Sequence, residues 1–369
     1  MNVAPATSTS ELGKTVCAAI IIFMIFTPLN ATESITVVSW GGAAQKAHED
    51  GYFHSFEEVT GIEIQVTEYN GGLAQIRAQV ESGNVNWDLV SVESQDKVIG
   101  CDEGLLEVLD DLELPDGPDG TPAEEDYLEG SLSDCSVGTI TWSTIIAYNA
   151  NSFETDPPTT MADFFDLEKF PGKRGIRRIP EVNLEFALIA DGVPVDEVYD
   201  TLSTDEGVDQ AFAKLDSIKD FLVIWEAGAQ PPQLLADQEV LMTTAYNGRI
   251  FNAQTVEKQP FVIIWDGQVR DYGQWVIVAG SPNLKNARRF LQHVALSSSL
   301  AGVANRISYG PVRRSAWDLV DKHIPTGIDM RPHMPTHPDN SKNVLTSDAE
   351  WWADHKDELT ERFSAWLSK

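Results

Sequence analysis

Apolar, β-branched segments alternate with amphipathic segments over the first hundred residues. Ile35–Trp40 (ITVVSW) is a short apolar run bounded by two glycines, a pattern typical of a buried strand. Similar patterns predict strands at 35–40, 62–69 and 87–91 and helices at 43–59 and 73–81, with a further helix leading to Cys101. This βαβαβ order predicts an α/β fold with a parallel sheet, whose binding crevice lies at the carboxyl ends of the strands.

A loop and a second α/β region follow. The segment 115–125 (PDGPDGTPAEE) is rich in Pro, Gly and Asp and is predicted to be a surface loop. The patterns beyond it predict a long strand at 138–149, helices at 184–190, 205–215 and 233–237, strands at 240–245, 261–265 and 274–278, two helices within 284–304, and a final helix within 347–369.

Composition adds a size and a charge. The chain has 369 residues, of which 42% are apolar and 22% charged, so we expect a globular protein of two or three domains. Lys and Arg number 26 against 57 Asp and Glu, a net charge of −31. Such a surface repels phosphate backbones and anionic lipids, which argues against nucleic-acid binding and electrostatic membrane docking. The excess charge is also explained by solubility or salt adaptation, so it does not by itself define a ligand.

The N-terminal region predicts export. Val16–Leu29 (VCAAIIIFMIFTPL) is an apolar run of fourteen residues after Lys14, whereas a membrane-spanning helix needs about twenty. It is typical of a signal peptide over residues 1–31, cleaved after Ala31. The alternative is a retained membrane anchor. We therefore expect a soluble, exported protein.

Cysteine usage agrees with an oxidising compartment. Cys17 lies in the predicted signal peptide, so Cys101 and Cys135 would be the only cysteines of the mature chain. We predict a disulfide between them, and two buried free thiols are the alternative. A metal site is less favoured because neither cysteine has a Cys-x-x-Cys or histidine neighbour.

No catalytic motif is present in the sequence. GxSxG, HExxH, the full phosphate-loop motif GxxxxGK[ST] and GxGxxG are all missing. His323, His333 and His337 form a cluster, but the prolines between them prevent helical spacing, so we expect a solvated loop and no metal. We predict a protein without enzymatic activity or cofactor. The alternative is a secreted hydrolase, which would need a nucleophile and a base that the sequence does not reveal.

Aromatic and acidic residues recur where predicted strands end. Trp40 ends the first strand and Glu93 follows the third. Aromatic faces and carboxylates suit a ligand in which methylene groups link ammonium groups. The residues in this pattern are Trp40, Glu93, Asp96, Tyr246, Trp265, Asp266, Asp271, Trp275 and Tyr309.

Several segments resemble one protein family. The segments are SWGGAAQKAHEDGYFHSFEEVTGIEIQV, NVNWDLVSVES, GCDEGLLEVLD, TTAYNGRI and ISYGPVRRSAWD, in order over about residues 35–320. They resemble the bacterial extracellular solute-binding proteins of polyamine-type ABC importers. The cysteines in GCDEG and DCSVG are similar to a disulfide found in part of that family.

The resemblance implies a two-lobed periplasmic-binding-protein fold of type II. Each lobe would be a mainly parallel sheet flanked by helices, and crossing strands would form the hinge. We expect the first lobe at 32–148 and 279–315, the second at 149–278, and a C-terminal helical segment at 316–369 that packs on the lobes. The implied function is that of a monomeric substrate-binding subunit, which delivers its ligand to an ABC permease in the inner membrane.

The resemblance also implies a ligand site and a ligand. Residues carried over from the family, together with Asp271 from the strand-end pattern, predict ligand contacts at Trp40, Glu93, Ser94, Asp96, Glu185 (with Glu181 nearby), Tyr246, Trp265, Asp266, Asp271 and Tyr309. The implied ligand is putrescine or spermidine. Alternatives are another organic cation, an amino-acid-derived solute or, with less support because the chain has no Tyr-Tyr pair, ferric ion. Arg177, Arg178 and Arg249 would oppose a polycation unless they point away.

Overall fold

The computed structural model describes residues 1–6 and 33–369. The predicted signal peptide lies almost wholly outside these residues, and its hydrophobic segment entirely so. Glu33–Lys369 forms one compact unit. No helix among the described residues combines the length and the apolar composition that a membrane span needs.

The described chain is a mixed α/β protein. Its strands are β1 (Ser34–Ser39), β2 (Glu63–Glu68), β3 (Leu89–Val92), β4 (Leu132–Ser133), β5 (Ser136–Asn149), β6 (Arg174–Arg177), β7 (Leu222–Trp225), β8 (Met242–Tyr246), β9 (Phe261–Ile277), β10 (Gly310–Pro311) and β11 (Val344–Thr346). Its α-helices are α1 (Gly42–His48), α2 (His54–Thr60), α3 (Ala74–Ser82), α4 (Ser94–Asp102), α5 (Ala123–Asp126), α6 (Met161–Phe165), α7 (Asn183–Ala190), α8 (Val198–Leu202), α9 (Asp205–Asp216), α10 (Gln230–Ala236), α11 (Asn247–Thr255), α12 (Leu284–Val294), α13 (Ser297–Ala304), α14 (Arg314–Trp317) and α15 (Ala349–Leu367).

The predicted βαβαβ unit is confirmed. β1 pairs in parallel with β2 on one side and with β3 on the other. The helix predicted at 43–59 is present as α1 and α2, which a π-helical turn at Glu49–Phe53 joins. It ends at Gly61, whose φ of +71° favours glycine and stops the helix. A second parallel unit consists of β6 between β7 and β8.

The long strands β5 and β9 connect the two parallel units. β9 pairs antiparallel with β3 and with β5, and β5 pairs antiparallel with β8. The strand order in the described chain is therefore β2-β1-β3-β9-β5-β8-β6-β7, with β4 and β10 on β5 and β11 on β9. Within the sheet, β9 and β5 therefore lie between β3 of the first parallel unit and β8 of the second.

Two predicted boundaries are wrong. The strands predicted at 261–265 and 274–278 are one strand, β9, because pairing with β5 resumes at Val269, beyond the predicted end of the first strand. The register shifts there: Thr144 pairs with Val269 and Ile146 with Ile264, which leaves Trp265–Gln268 as a bulge. The loop predicted at 115–125 also contains the start of the short helix α5.

The apolar core divides between the two ends of the sheet. One cluster joins residues of β1, α2 and β3 to residues of α12 and α13. Another joins residues of α7, α9 and β8 to the C-terminal helix α15, which buries Trp352, Leu359, Phe363 and Trp366. The last helix of the chain is therefore part of the core at the second end.

The predicted disulfide is present. Cys101 in α4 is bonded to Cys135, just before β5, with their Cα atoms 5.9 Å apart. The bond ties the end of α4 to the start of a long connecting strand.

Candidate ligand-binding site

Two adjoining cavities lie where the strands β1, β3, β6 and β8 end. Glu93 and Trp142 line both of them. The basic cavity is lined among others by Trp40, His48, Tyr246, Arg249 and Tyr309. The acidic cavity is lined among others by Arg177, Glu181, Glu185, Trp225, Asp271 and Trp352. Three of the predicted strand-end residues, Trp40, Glu93 and Tyr246, therefore meet at one edge of the sheet.

The register of β5 explains why Trp142 faces both cavities. Trp142 lies directly opposite Asp271 on β9, and Thr144, two residues further along the same face, lies opposite Tyr246 on β8. Residues opposite each other on neighbouring strands share a face of the sheet. The indole of Trp142 meets the Tyr246 ring edge-on, with 5.1 Å between ring centroids.

Arg249 is a buried cation at the start of α11. Its side chain is 5% exposed, and its Nη2 donates a hydrogen bond of 2.9 Å to the carbonyl oxygen of Trp40. Its Nε has no hydrogen-bond partner, and no carboxylate of the described chain forms an ion pair with it. Gly42, with a φ of +56°, makes room for it, because a Cβ there would lie 2.5 Å from Arg249 Nη1.

Aromatic residues form the walls around Arg249. Trp40 Nε1 donates to Ser91 Oγ at 3.2 Å, which fixes the indole orientation. Tyr309 is 4% exposed, and burial raises the pKa of its phenol, so that its O–H remains a hydrogen-bond donor.

An ion pair stands at the junction of the two cavities. Arg177 Nη1 lies 2.7 Å from Glu93 Oε1, and both side chains are almost buried. The other carboxylate oxygen of Glu93 accepts a hydrogen bond of 3.2 Å from Gln95 Nε2. The Arg177 guanidinium also lies 5.8 Å from the ring centroids of Trp40 and Tyr246. The negative charge of Glu93 is therefore matched by a cation of the protein.

A lysine from the C-terminal helix matches two further carboxylates. Lys356 Nζ in α15 lies 2.6 Å from Asp96 Oδ1 in α4 and 3.3 Å from Glu181 Oε1. Asp96 is 1% exposed and also accepts a hydrogen bond from the Gly72 N–H at 3.2 Å. The nearby acidic groups raise the pKa of Lys356 against the opposing effect of its burial, so the ammonium stays charged.

Two carboxylates of the acidic cavity have only neutral partners. Asp271 accepts hydrogen bonds from Ser94 Oγ at 2.5 Å and from the Tyr272 N–H at 2.7 Å. Glu185 accepts from Trp352 Nε1 at 2.6 Å and from the Tyr199 hydroxyl at 3.1 Å. Burial raises the pKa of Asp271 to about 6 and that of Glu185 to about 7.

The structure brings six of the predicted contact residues to the cavities and places four elsewhere. Trp40, Glu93, Glu185, Tyr246, Asp271 and Tyr309 line a cavity. Ser94 and Asp96 lie behind the lining, hydrogen-bonded to Asp271 and Lys356.

Trp265 and Asp266 line neither cavity because they lie on the bulge of β9 and not at a strand end. Asp266 Oδ2 accepts from the Met161 N–H at 2.8 Å, and Oδ1 accepts from Asn343 Nδ2 at 2.9 Å. Its carboxylate is thus occupied in holding the start of α6 and a C-terminal loop.

Of the three arginines that would oppose a polycation, two face the cavities. Arg177 and Arg249 line them, whereas the side chain of Arg178 is 64% exposed and pairs with Glu226 on the surface. The sequence reasoning missed Trp142, Trp225, His48 and Lys356. Trp142 could have been found from its place in a long predicted strand, but Lys356 lies in a helix with no local signal of a site.

Comparison with known proteins identifies the class. Residues 51–336 match the model of a family described as bacterial extracellular solute-binding protein. The chain belongs to this family, and its mixed α/β sheet with flanking helices is the two-lobed type II periplasmic-binding-protein fold. It is a substrate-binding protein of an ABC transporter and not an enzyme. Proteins of this class bind a small molecule and a permease of the inner membrane.

Individual relatives differ in the ligands that their names give. A gamma-aminobutyric acid-binding protein of Pseudomonas aeruginosa is 41% identical over 338 residues, 92% of either chain. The periplasmic binding protein MotA of A. tumefaciens B6, solved in complex with glucopine, is 30% identical with a TM-score of 0.82, over 90% of this chain and 99% of its own. A solved GABA receptor is 29% identical with a TM-score of 0.77, over 91% and 98%.

Proposed function

We propose that this protein captures an amino-acid-derived zwitterion of the γ-aminobutyrate type and delivers it to an ABC permease. The observation that carries the proposal is Arg249, a buried guanidinium that lines the basic cavity without a carboxylate partner in the described chain. The name of the 41% identical relative supports the same ligand class.

The anionic end of the ligand would bind at Arg249. A buried charge is costly unless it is paired, and a guanidinium presents its N–H groups in a fixed fork that fits a carboxylate. Arg249 Nε has no partner in the described chain, so a ligand carboxylate can accept from it without displacing the bond to the Trp40 carbonyl.

The ammonium end would bind at Asp271, across the junction of the cavities. The partners that Asp271 has are neutral donors, whereas Glu93, Asp96 and Glu181 already have Arg177 or Lys356 as cation partners. Trp142, beside Asp271 and lining both cavities, offers an apolar face for the methylene groups between the two charged ends.

A polyamine is the second candidate. Glu181 Oε2 and Glu185 Oε2 are buried without a hydrogen-bond partner in the described chain, which favours a second ammonium group in the acidic cavity. Against it, a polycation would have to compete with Arg177 for Glu93 and with Lys356 for Glu181, and it would lie near Arg249.

Calorimetry on the mature protein tests this choice. The ligands are γ-aminobutyrate, its amide 4-aminobutyramide, putrescine and spermidine. We expect γ-aminobutyrate to bind with a Kd of about 1 μM, or about −8 kcal/mol, and the amide and both polyamines at least tenfold more weakly. Tighter binding of putrescine than of γ-aminobutyrate would overturn the zwitterion proposal in favour of the polyamine.

We also propose the lobe bounds and the cellular location given by the sequence: a signal peptide at 1–31, lobes at 32–148 with 279–315 and at 149–278, and a monomer in the periplasm. The antiparallel pair β5 and β9, which connects the two parallel units, supports a hinge there. Intact-mass analysis of exported protein would show a chain beginning near Thr32. A mass that includes residues 1–31 would contradict cleavage.

A further inference from the structure

His48 is a buried polar side chain that the site described above does not use. It ends α1, is 1% exposed, and lines the basic cavity together with Arg249. Neither ring nitrogen has a hydrogen-bond partner within the described residues. The ring stacks on Tyr52, with centroids 5.4 Å apart at 21°, and lies 5.8 Å from Trp275.

The environment keeps this imidazole neutral. Burial is the larger cause, and the positive charge of Arg249 adds to it; together they lower the pKa of His48 to about 3. At neutral pH the ring therefore has one N–H donor and one acceptor nitrogen. A buried donor left without an acceptor is unfavourable, so such a group in a cavity wall points to an acceptor that arrives with the ligand.

We propose that His48 is a specificity-determining residue that donates a hydrogen bond to the ligand carboxylate bound by Arg249. This inference rests on the proposed function, because it requires an anionic ligand group in the basic cavity. His48 follows β1 in one parallel unit and Arg249 follows β8 in the other. A carboxylate held by both residues would therefore link the two ends of the sheet.

Two substitutions separate the hydrogen bond from the packing. His48→Phe keeps an aromatic ring against Tyr52 but has no donor, and His48→Gln keeps an N–H donor but has no ring. Calorimetry would compare γ-aminobutyrate with 4-aminobutyramide, because a hydrogen bond to a carboxylate is about twice as strong as one to a neutral amide. His54→Phe is the matched control, since the His54 side chain is 63% exposed on α2.

We expect His48→Phe to weaken γ-aminobutyrate binding about tenfold and amide binding about threefold, so that the preference for the carboxylate falls. We expect His48→Gln to stay within about threefold of the wild type, and His54→Phe to match it. Should His48→Phe not fold, nitrogen NMR of the wild type with labelled histidine replaces it, and the His48 N–H signal should shift when γ-aminobutyrate is added.

Two results would overturn the inference. The first is binding of γ-aminobutyrate by His48→Phe within twofold of the wild type, or an unshifted His48 signal. The second is a loss of affinity in His48→Phe that is equal for γ-aminobutyrate and 4-aminobutyramide and that is also present in His48→Gln. That result would indicate that His48 acts only through packing. If the wild-type protein binds putrescine more tightly than γ-aminobutyrate, the proposed function fails and this inference fails with it. If the wild-type protein prefers γ-aminobutyrate but one of these two results is found, only the inference about His48 is overturned.

Discussion

The two adjoining cavities differ in how their charges are balanced. In the acidic cavity and behind it, cations of the protein itself already pair with three carboxylates: Arg177 with Glu93, and Lys356 with Asp96 and Glu181. In the basic cavity Arg249 has no anionic partner in the described chain. The number of acidic residues near a site therefore does not give the charge of its ligand. The groups that the protein leaves without a counter-charge are the better guide.

The largest expected effect is at the unmatched cation. Arg249→Met keeps most of the side-chain length but removes the charge and the N–H donors. We expect γ-aminobutyrate to bind at least a hundredfold more weakly, a loss of about 3 kcal/mol, while the empty protein melts no lower. Calorimetry measures the first effect and thermal melting the second.

Arg178→Met is the control for Arg249→Met, because Arg178 pairs on the surface with Glu226. It should bind as the wild type does. A Kd of Arg249→Met within threefold of the wild type would show that the carboxylate lies elsewhere.

The next effect is at Asp271, where the ligand would supply the matching cation. Asp271→Asn should weaken γ-aminobutyrate by about 2 kcal/mol, or about thirtyfold. Burial raises the pKa of Asp271 to about 6, and only the charged carboxylate pairs with an ammonium. Wild-type affinity should therefore fall as the pH drops through about 6, and this fall should be smaller in Asp271→Asn. Titration calorimetry between pH 5 and 8 measures both.

Asp266→Asn is a matched control for Asp271→Asn, the same substitution on the same strand. Asp266 holds the Met161 N–H and the Asn343 side chain, so its loss should lower the melting temperature and change the Kd by less than about threefold. If Asp266→Asn weakens binding as much as Asp271→Asn, the ammonium position proposed here is wrong.

A smaller effect is expected where the protein supplies its own cation. Lys356→Gln removes the ammonium between Asp96 and Glu181. We expect it to lower the free energy of unfolding by about 1 to 2 kcal/mol. This is less than the loss for a fully buried ion pair because the Lys356 side chain is 20% exposed. The acidic cavity would then have unmatched carboxylates, so affinity for putrescine should rise relative to γ-aminobutyrate. An unchanged ratio of the two affinities would show that Lys356 does not influence ligand charge.

The smallest effect concerns Glu185 and stability. Burial raises its pKa to about 7 from an unfolded value of about 4.3, so between these pH values the folded state keeps a proton that the unfolded state has lost. The contribution of Glu185 to the free energy of unfolding therefore falls as the pH rises through this window. Glu185→Gln keeps an acceptor for Trp352 and removes this penalty.

The quantity to compare is the melting temperature of Glu185→Gln minus that of the wild type. We expect this difference to be about 2 °C larger at pH 8 than at pH 5. Scanning calorimetry at both pH values checks this. Glu226→Gln, the same substitution at a side chain that is 62% exposed on the surface, is the control. A difference that is equal at both pH values would contradict a buried, proton-binding Glu185.

Local patterns were sufficient for most of the fold. The β-branched runs, glycine stops and helical spacing predicted β1, β2, β3 and the helices between them, because each of these signals acts within a few residues. The error at β9 has the same origin. The chain between the two predicted strands returns to pairing with β5 at Val269, and a local pattern does not contain its partner strand.

The sequence alone was enough to predict the class of the protein, to favour the disulfide and to bring together Trp40, Glu93 and Tyr246, since side chains at the carboxyl ends of neighbouring strands lie close to each other. The charge balance of the site, by contrast, followed from the three-dimensional arrangement. That arrangement placed Lys356, 260 residues from Asp96 along the chain, between two acids, set Asp271 beside Trp142 through strand register, and left Arg249 without an anion in the described chain. Charge balance depends on distances through space, and residue type alone does not fix those distances.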